Sequence, residues 1–337
     1  MGKFLKFFTI AVICLVIVLA LAVSATIGWR PFLGPRTRPV TSHTFERTPA
    51  RLARGAYIFN SVSACADCHT PHDWAKPEQP PVPGALGSGE VMPLNDLPGK
   101  IVASNLTSDR ETGLGEWSDD EIARAIREGV DRNGRTLFPI MPYEHYRHMS
   151  DEDVVSVVVF IRSLPPSRNQ LPETEIIFPV KYLIRSVPQP ITEPVAPPDS
   201  STPIKRGDYL VRLGGCHDCH TPAKRGQAIK SMDLGGGFIL DGPFGRVAGS
   251  NITSDPSGIG YYDEQLFRDV MRTGYVRARK LNEIMPWVYF RGMTDQDLSD
   301  IFAYLRSVPP VKHRVDNTET PTMCTKCGAK HGLGDKN

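Results

Sequence analysis

The chain has 337 residues, with 39 basic against 37 acidic side chains and a net charge of +2, and at about 150 residues per domain that length suggests two domains. The charge balance argues against nucleic acid as a partner, 40% apolar and 23% charged residues exclude a disordered chain, and a mean hydropathy of -0.24 excludes a polytopic membrane protein. Proline is in excess at 30 residues, roughly 9% against a usual level of about 5%, so long irregular segments are expected, and six of the seven cysteines fall in three Cys-x-x-Cys pairs.

Taken in chain order, residues 7 to 29 carry no charge and follow Lys3 and Lys6. An apolar stretch from Phe7 to Val23, broken only by Thr9, exceeds the roughly 7 to 15 residues of a cleaved signal and approaches the roughly 20 of a spanning helix. Its length favours an uncleaved membrane anchor over residues 1–29. Val23-Ser24-Ala25 resembles a cleavage site and supports the competing signal-peptide reading; either exports the remainder. Cys14 reads as a small apolar residue within the span.

The rest of the chain repeats itself. RGAYIF (54 to 59) recurs as RGDYLV (206 to 211), and Cys65-Ala66-Asp67-Cys68-His69 as Cys216-His217-Asp218-Cys219-His220. In the same order follow SNLTSD (104 to 109) and SNITSD (250 to 255), IMPY (140 to 143) and IMPW (284 to 287), and FIRSLPP and YLRSVPP. This predicts two homologous domains, 45–165 and 204–311. In the first, Ser118 with Glu121 predicts a capped helix ending at Gly129, and Ser150 with Asp153 a final helix ending before Pro165. Asp263, Gly274 and Thr294 with Asp297 repeat the pattern. Gly55 and Gly207, each costly inside a helix, predict close crossings of the final helices at Phe160 and Tyr304. Between the repeats, residues 166–203 form a Pro-rich linker whose apolar core, Ile176 to Ile184, is expected to lie against a domain surface. No long alternating strand appears, so the expected fold class is all-α, with loops at 77 to 99 and 233 to 245.

Cys-x-x-Cys-His is the attachment sequence for a c-type haem: two thiols add to the two vinyl groups, and the adjacent histidine is held beneath the iron. The expected cofactors are two haem c groups, one on Cys65 and Cys68 with His69 on the iron, the other on Cys216 and Cys219 with His220. A pooled zinc site is the competing reading, but it leaves both histidines unused. His217 is expected at the surface. For the distal ligand, Met141 and Met285 stand in proline-stiffened loops, whereas Met149 and Met293 precede helix caps and read as hydrophobic staples with Val154 and Leu298. His145 and His148 are not repeated, their counterparts being Tyr289 and Gly292, and read as surface histidines. Asn105 and Asn251 match glycosylation acceptors but read as loop-shaping residues of a repeated turn. In the tail, 312–337, Cys324 and Cys327 lack a following histidine; a disulfide or free thiols is the expected state, and a partial metal site with His331 the alternative.

The order of these motifs resembles class I cytochrome c domains, and more closely the cytochrome c subunits of membrane-bound alcohol and gluconate dehydrogenases, over about residues 45 to 311. Those subunits usually carry three haem motifs where this chain has two. The resemblance implies two tandem class I domains behind an N-terminal transmembrane helix, with a dehydrogenase subunit as electron donor and the quinone pool, another cytochrome or a terminal oxidase as acceptor. It places the chain in the bacterial inner membrane as a single-pass protein, its haem domains in the periplasm. The expected role is that of an electron carrier without catalytic residues. A dihaem redox enzyme, either a peroxidase or a sulfur-compound oxidoreductase, is the alternative, and would need one iron with an open position.

Overall fold

The computed structural model describes residues 2–318 except Pro77 and Arg225, together with Thr322, Met323, Thr325, Lys330 and His331. Helix α1 (Gly2–Thr26) projects from the body with none of its residues buried and has a mean hydropathy of 3.0 across its most apolar window. At about 1.5 Å per residue it is long enough to cross a hydrocarbon core of about 30 Å. The short α2 (Arg30–Leu33) follows.

In the first repeat, α3 (Pro49–Tyr57) begins at a Thr48 cap and continues into a π-helical turn, Ile58–Val62, before α4 (Cys65–His69). Ser118 and Glu121 form a complete capping box on α5 (Asp119–Glu128), which stops at Gly129 in the left-handed conformation. The one-turn α6 (Tyr143–Tyr146) leads to α7 (Asp151–Ser163), capped by Ser150. After α8 (Val180–Leu183) in the linker, the second repeat runs through α9 (Pro203–Leu213), α10 (Cys216–His220), α11 (Glu264–Thr273), α12 (Trp287–Phe290) and α13 (Asp295–Ser307). Asp263 caps α11 and Gly274 ends it; Thr294 caps α13. The element order of the first repeat thus recurs in the second.

Helix makes up 40% of the chain, short of an all-α fold, and among the described residues there are also short antiparallel ladders. The longest is a hairpin, Ile239–Gly242 with Gly245–Ala248, where a loop through 233 to 245 was expected. The linker is docked rather than free: Glu175–Ile176 pair with Gly99–Lys100, and Asp151 and Val195 exchange hydrogen bonds of 3.0 and 3.1 Å. Its apolar core only partly meets a protein surface. Ile184 is buried, whereas Ile177 and Phe178 are exposed.

The first and last helices of each repeat cross at the two glycines. A Cβ on Gly55 would lie 1.9 Å from the Ser156 carbonyl oxygen, and one on Gly207 2.0 Å from that of Asp300, so only glycine permits either crossing. An arginine one position earlier then reaches the capped end of the final helix. Arg54 binds Asp153 through two bonds of 2.7 and 2.9 Å, and Arg206 binds Asp297 and Asp300.

The tyrosines two positions after the glycines cross between repeats. The Tyr209 hydroxyl donates to Asp153 at 2.7 Å and accepts from the Ser150 N–H at 3.1 Å. Reciprocally, the Tyr57 hydroxyl donates to Asp297 and accepts from the Thr294 N–H at 3.0 Å. Each repeat therefore completes the N-terminus of the other's final helix. Tyr57→Phe or Tyr209→Phe leaves a buried carboxylate short of a donor and is expected to cost about 1–3 kcal/mol, while Gly55→Ala or Gly207→Ala costs at least about 1–3 kcal/mol by overpacking. Denaturant midpoints of the haem-loaded protein check both; unchanged midpoints contradict the crossing geometry.

Candidate functional site: two Cys-x-x-Cys-His turns and their walls

Each Cys-x-x-Cys-His segment is a single helical turn entered through a left-handed residue, Ala64 at φ 45° and Gly215 at φ 63°. Both histidines are then fixed by the same contact. His69 Nδ1 lies 2.8 Å from the Ser104 carbonyl and His220 Nδ1 2.6 Å from the Ser250 carbonyl. A carbonyl can only accept, so Nδ1 carries the proton and Nε2 keeps its lone pair for a metal. Burial lowers the pKa of both imidazoles, favouring the neutral form that ligates. The four half-buried thiols are shifted the other way: burial pushes Cys65, Cys216 and Cys219 up to about 12, and Cys68 further still.

The serine carbonyls are held by the turn that follows them. Asn105 Oδ1 accepts from Thr107 N–H and Oγ1 at 2.9 and 2.7 Å, and its amide donates to Thr112 Oγ1 and the Ser167 carbonyl. Asn251 makes the same pair with Thr253 and donates to the carbonyls of Val311 and His313. Both asparagines are buried, so their amides face the protein interior, out of reach of a glycan. They shape the loop, as expected.

The methionine loops are positioned by aromatic rings on helix stops. A Cβ on Gly129 would lie 2.5 Å from the Tyr143 ring, and one on Gly274 2.4 Å from the Trp287 ring. The residue after each Met-Pro thus covers the left-handed glycine ending the preceding helix, which anchors Met141-Pro142 and Met285-Pro286. Met141 and Met285 are half-buried against the core, while Met149 and Met293 are fully inside it with Val154 and Leu298, as staples require.

A cavity of about 2440 Å³ is lined by Cys65, Cys68, His69 and Met141. Single-ligand pockets are usually about 300–1,000 Å³, so this one has room for more than one large group. From the second set Cys219 lines it, with Ile284 and Pro286 on either side of Met285; Cys216, His220 and Met285 itself do not. The structure therefore gathers the first set around one space and joins the second to it along one edge.

Several residues near the sites had no signal in the sequence. His145 is not a free surface histidine: its Nε2 lies 2.7 Å from Asp218 of the other repeat, and its ring stacks on His217. His217, expected at the surface, is wedged between His145 and Asp233, with Nδ1 2.7 Å from the Asp233 carboxylate. On the opposite side Tyr289, the counterpart of His145, meets His72 Nε2 at 2.9 Å, and His72 Nδ1 lies 3.0 Å from Glu90. These contacts join the repeats but differ between them, so internal comparison could not find them. His148 is exposed. Cys324 and Cys327 lie outside the described residues; nearby, Thr322–Met323 pairs with Lys330–His331.

Residues 50–161 match the family described as cytochrome c oxidase, cbb3-type, subunit III. The chain is 32% identical to a diheme cytochrome c-type protein of Cereibacter sphaeroides, across 82% of its own length and 93% of the relative. It belongs to the dihaem c-type cytochromes. The cytochrome also resembles the cytochrome c subunits of a quinone alcohol dehydrogenase from Gluconacetobacter polyoxogenes, at 28% identity, and of a gluconate 2-dehydrogenase from Pantoea cypripedii, at 30%. These matches cover 80% and 78% of the chain but only 58% and 60% of those subunits, so it spans less than two thirds of their length. As a member of its family it carries haem c, two groups per chain.

Asn105→Ala or Asn251→Ala removes several buried hydrogen bonds and is expected to cost about 1–3 kcal/mol. It also loosens the carbonyl that orients the adjacent histidine. Thermal denaturation and the absorption band of the affected haem check this: an unchanged melting temperature and spectrum in both variants would refute the positioning role.

Proposed function

We propose that this chain is a membrane-anchored dihaem electron carrier made of two tandem, all-α class I cytochrome c domains, residues 45–165 and 204–311. Cys65 and Cys68 would hold the first haem and Cys216 and Cys219 the second; His69 and Met141, and His220 and Met285, would ligate the two irons. The observation that carries this reading is the repeated histidine geometry. In both repeats Nδ1 is spent on the serine carbonyl of the same Ser-Asn-x-Thr turn, which leaves the Nε2 lone pair available to a metal.

When bound, the haem iron takes up and releases one electron at a time. The chain's own residues hold and insulate the group: the thiols anchor it, the serine carbonyls orient the imidazoles, and the Met-Pro loops present a thioether, which favours a higher potential than a second histidine. The same Ile-Met-Pro loop in both repeats is why the carrier is favoured over a dihaem peroxidase or sulfur-compound oxidoreductase.

In this reading α1 spans the bacterial inner membrane and the haem domains lie in the periplasm. A dehydrogenase subunit is the donor, and the quinone pool, another cytochrome or a terminal oxidase the acceptor. That two of the relatives are cytochrome c subunits of dehydrogenases supports such a donor.

Absorption spectroscopy of the oxidised protein tests the ligand set. Two methionine-to-ferric charge-transfer bands are expected. Met141→Ala should abolish one and lower the potential of one haem in a redox titration, and Met285→Ala should do so for the other. A high-spin or bis-histidine haem in the unaltered protein contradicts the proposal and favours an enzyme.

A further inference from the structure

The apolar linker core and the segment after α1 come together on one surface. Helix α2 packs against α8 and the 3₁₀ turn Ile184–Ser186, and Arg185 donates to the Pro31 carbonyl at 3.0 Å. Their outer faces stay open: Phe178 is 80% exposed, Leu33 72%, Phe32 61% and Ile177 56%, with Trp29 and Tyr182 beside them. Large aromatic and aliphatic side chains this exposed and contiguous mark a contact surface rather than scattered surface apolars.

Three features say what covers it. The surface adjoins the end of the span: four steps of chain from Thr26 to Arg30 reach at most about 14 Å, and the Trp29 indole donates back to Ser24 of α1 at 2.9 Å. Its charges are mostly basic. Arg30, Arg36, Lys181 and Arg185 occur in it, and neither residues 26 to 45 nor 176 to 192 contain an acidic side chain, with Glu175 just before the second stretch. Finally, Lys181 and Arg185 both lie over the Tyr182 ring, at 5.3 and 4.7 Å, the pairing of aromatic and basic groups that suits a headgroup boundary.

We propose that α2 and α8 form a second membrane contact, an interfacial patch that seats Phe32, Leu33, Ile177 and Phe178 at the acyl boundary of an anionic bilayer and its basic residues among the headgroups. The inference rests on the reading that α1 spans that bilayer. It turns a flexible tether into two attachments and fixes the orientation of the first repeat. Phe32, Leu33, Val180 and Leu183 also line the cavity that contains Met141, so the patch and the first haem site share a wall.

The test uses the full haem-loaded chain in phosphatidylcholine–phosphatidylglycerol vesicles containing a phosphatidylcholine with a photoactivatable group on its acyl chain, followed by peptide mapping. Label is expected on α1 and on peptides spanning 30 to 36 and 176 to 187, and not on the second repeat around the exposed Tyr261 and Tyr275. In an Ile177→Ser, Phe178→Ser variant with an unchanged haem spectrum, label on 176 to 187 should fall severalfold while that on α1 stays. Label on α1 with none on α2 or α8 above the second repeat overturns the patch and leaves the span intact. No label on α1 overturns the span, and the patch with it.

Discussion

Two tyrosine hydroxyls set the relation between the repeats. Tyr57 and Tyr209 each leave their own first helix and end at the N-terminus of the other repeat's last helix, donating to an aspartate and accepting a backbone N–H. Asp153 and Asp297 already face Arg54 and Arg206 within their own repeats. Each carboxylate is thus satisfied only when both repeats are in place, and a buried carboxylate left short of a donor is costly. Because α3 and α9 lead directly into the turns before the Cys-x-x-Cys-His segments, the same contacts fix where those two segments stand relative to each other.

Within each site, the chain uses backbone more than side chain to place its functional atoms. A carbonyl orients the histidine, a left-handed glycine under an aromatic ring anchors the methionine loop, and a buried asparagine holds the carbonyl in place. None of these supports carries charge or reactivity. That suits a protein whose chemistry lies in the cofactor and whose task is to keep ligand geometry constant as the iron changes charge.

What could be read from the sequence was what is encoded locally or repeated. Ser118 with Glu121, and Gly129 and Gly274, mark helix ends because capping involves residues three or four apart. Gly55 and Gly207 announce a crossing because a helix tolerates glycine poorly without a reason for close approach. The tyrosine crossing was hidden because its partners lie far along the chain and a hydroxyl has no spacing signature. His145 with Asp218 and His72 with Tyr289 were hidden because the two repeats use different residues at these positions. The hairpin at 239 to 248 is too short and Gly-rich to show alternation, and the linker's apolar core gave no sign of which face would remain open.

On the proposed function, the two repeated cysteine pairs carry haem and the third does not. Intact-mass and peptide mass spectrometry of the protein produced with c-type assembly tests this directly. Two haem adducts per chain are expected, one on the peptide holding Cys65 and Cys68 and one on that holding Cys216 and Cys219, with none on the peptide of Cys324 and Cys327. A single adduct, unmodified thiols at either repeated pair, or zinc in place of iron would contradict it.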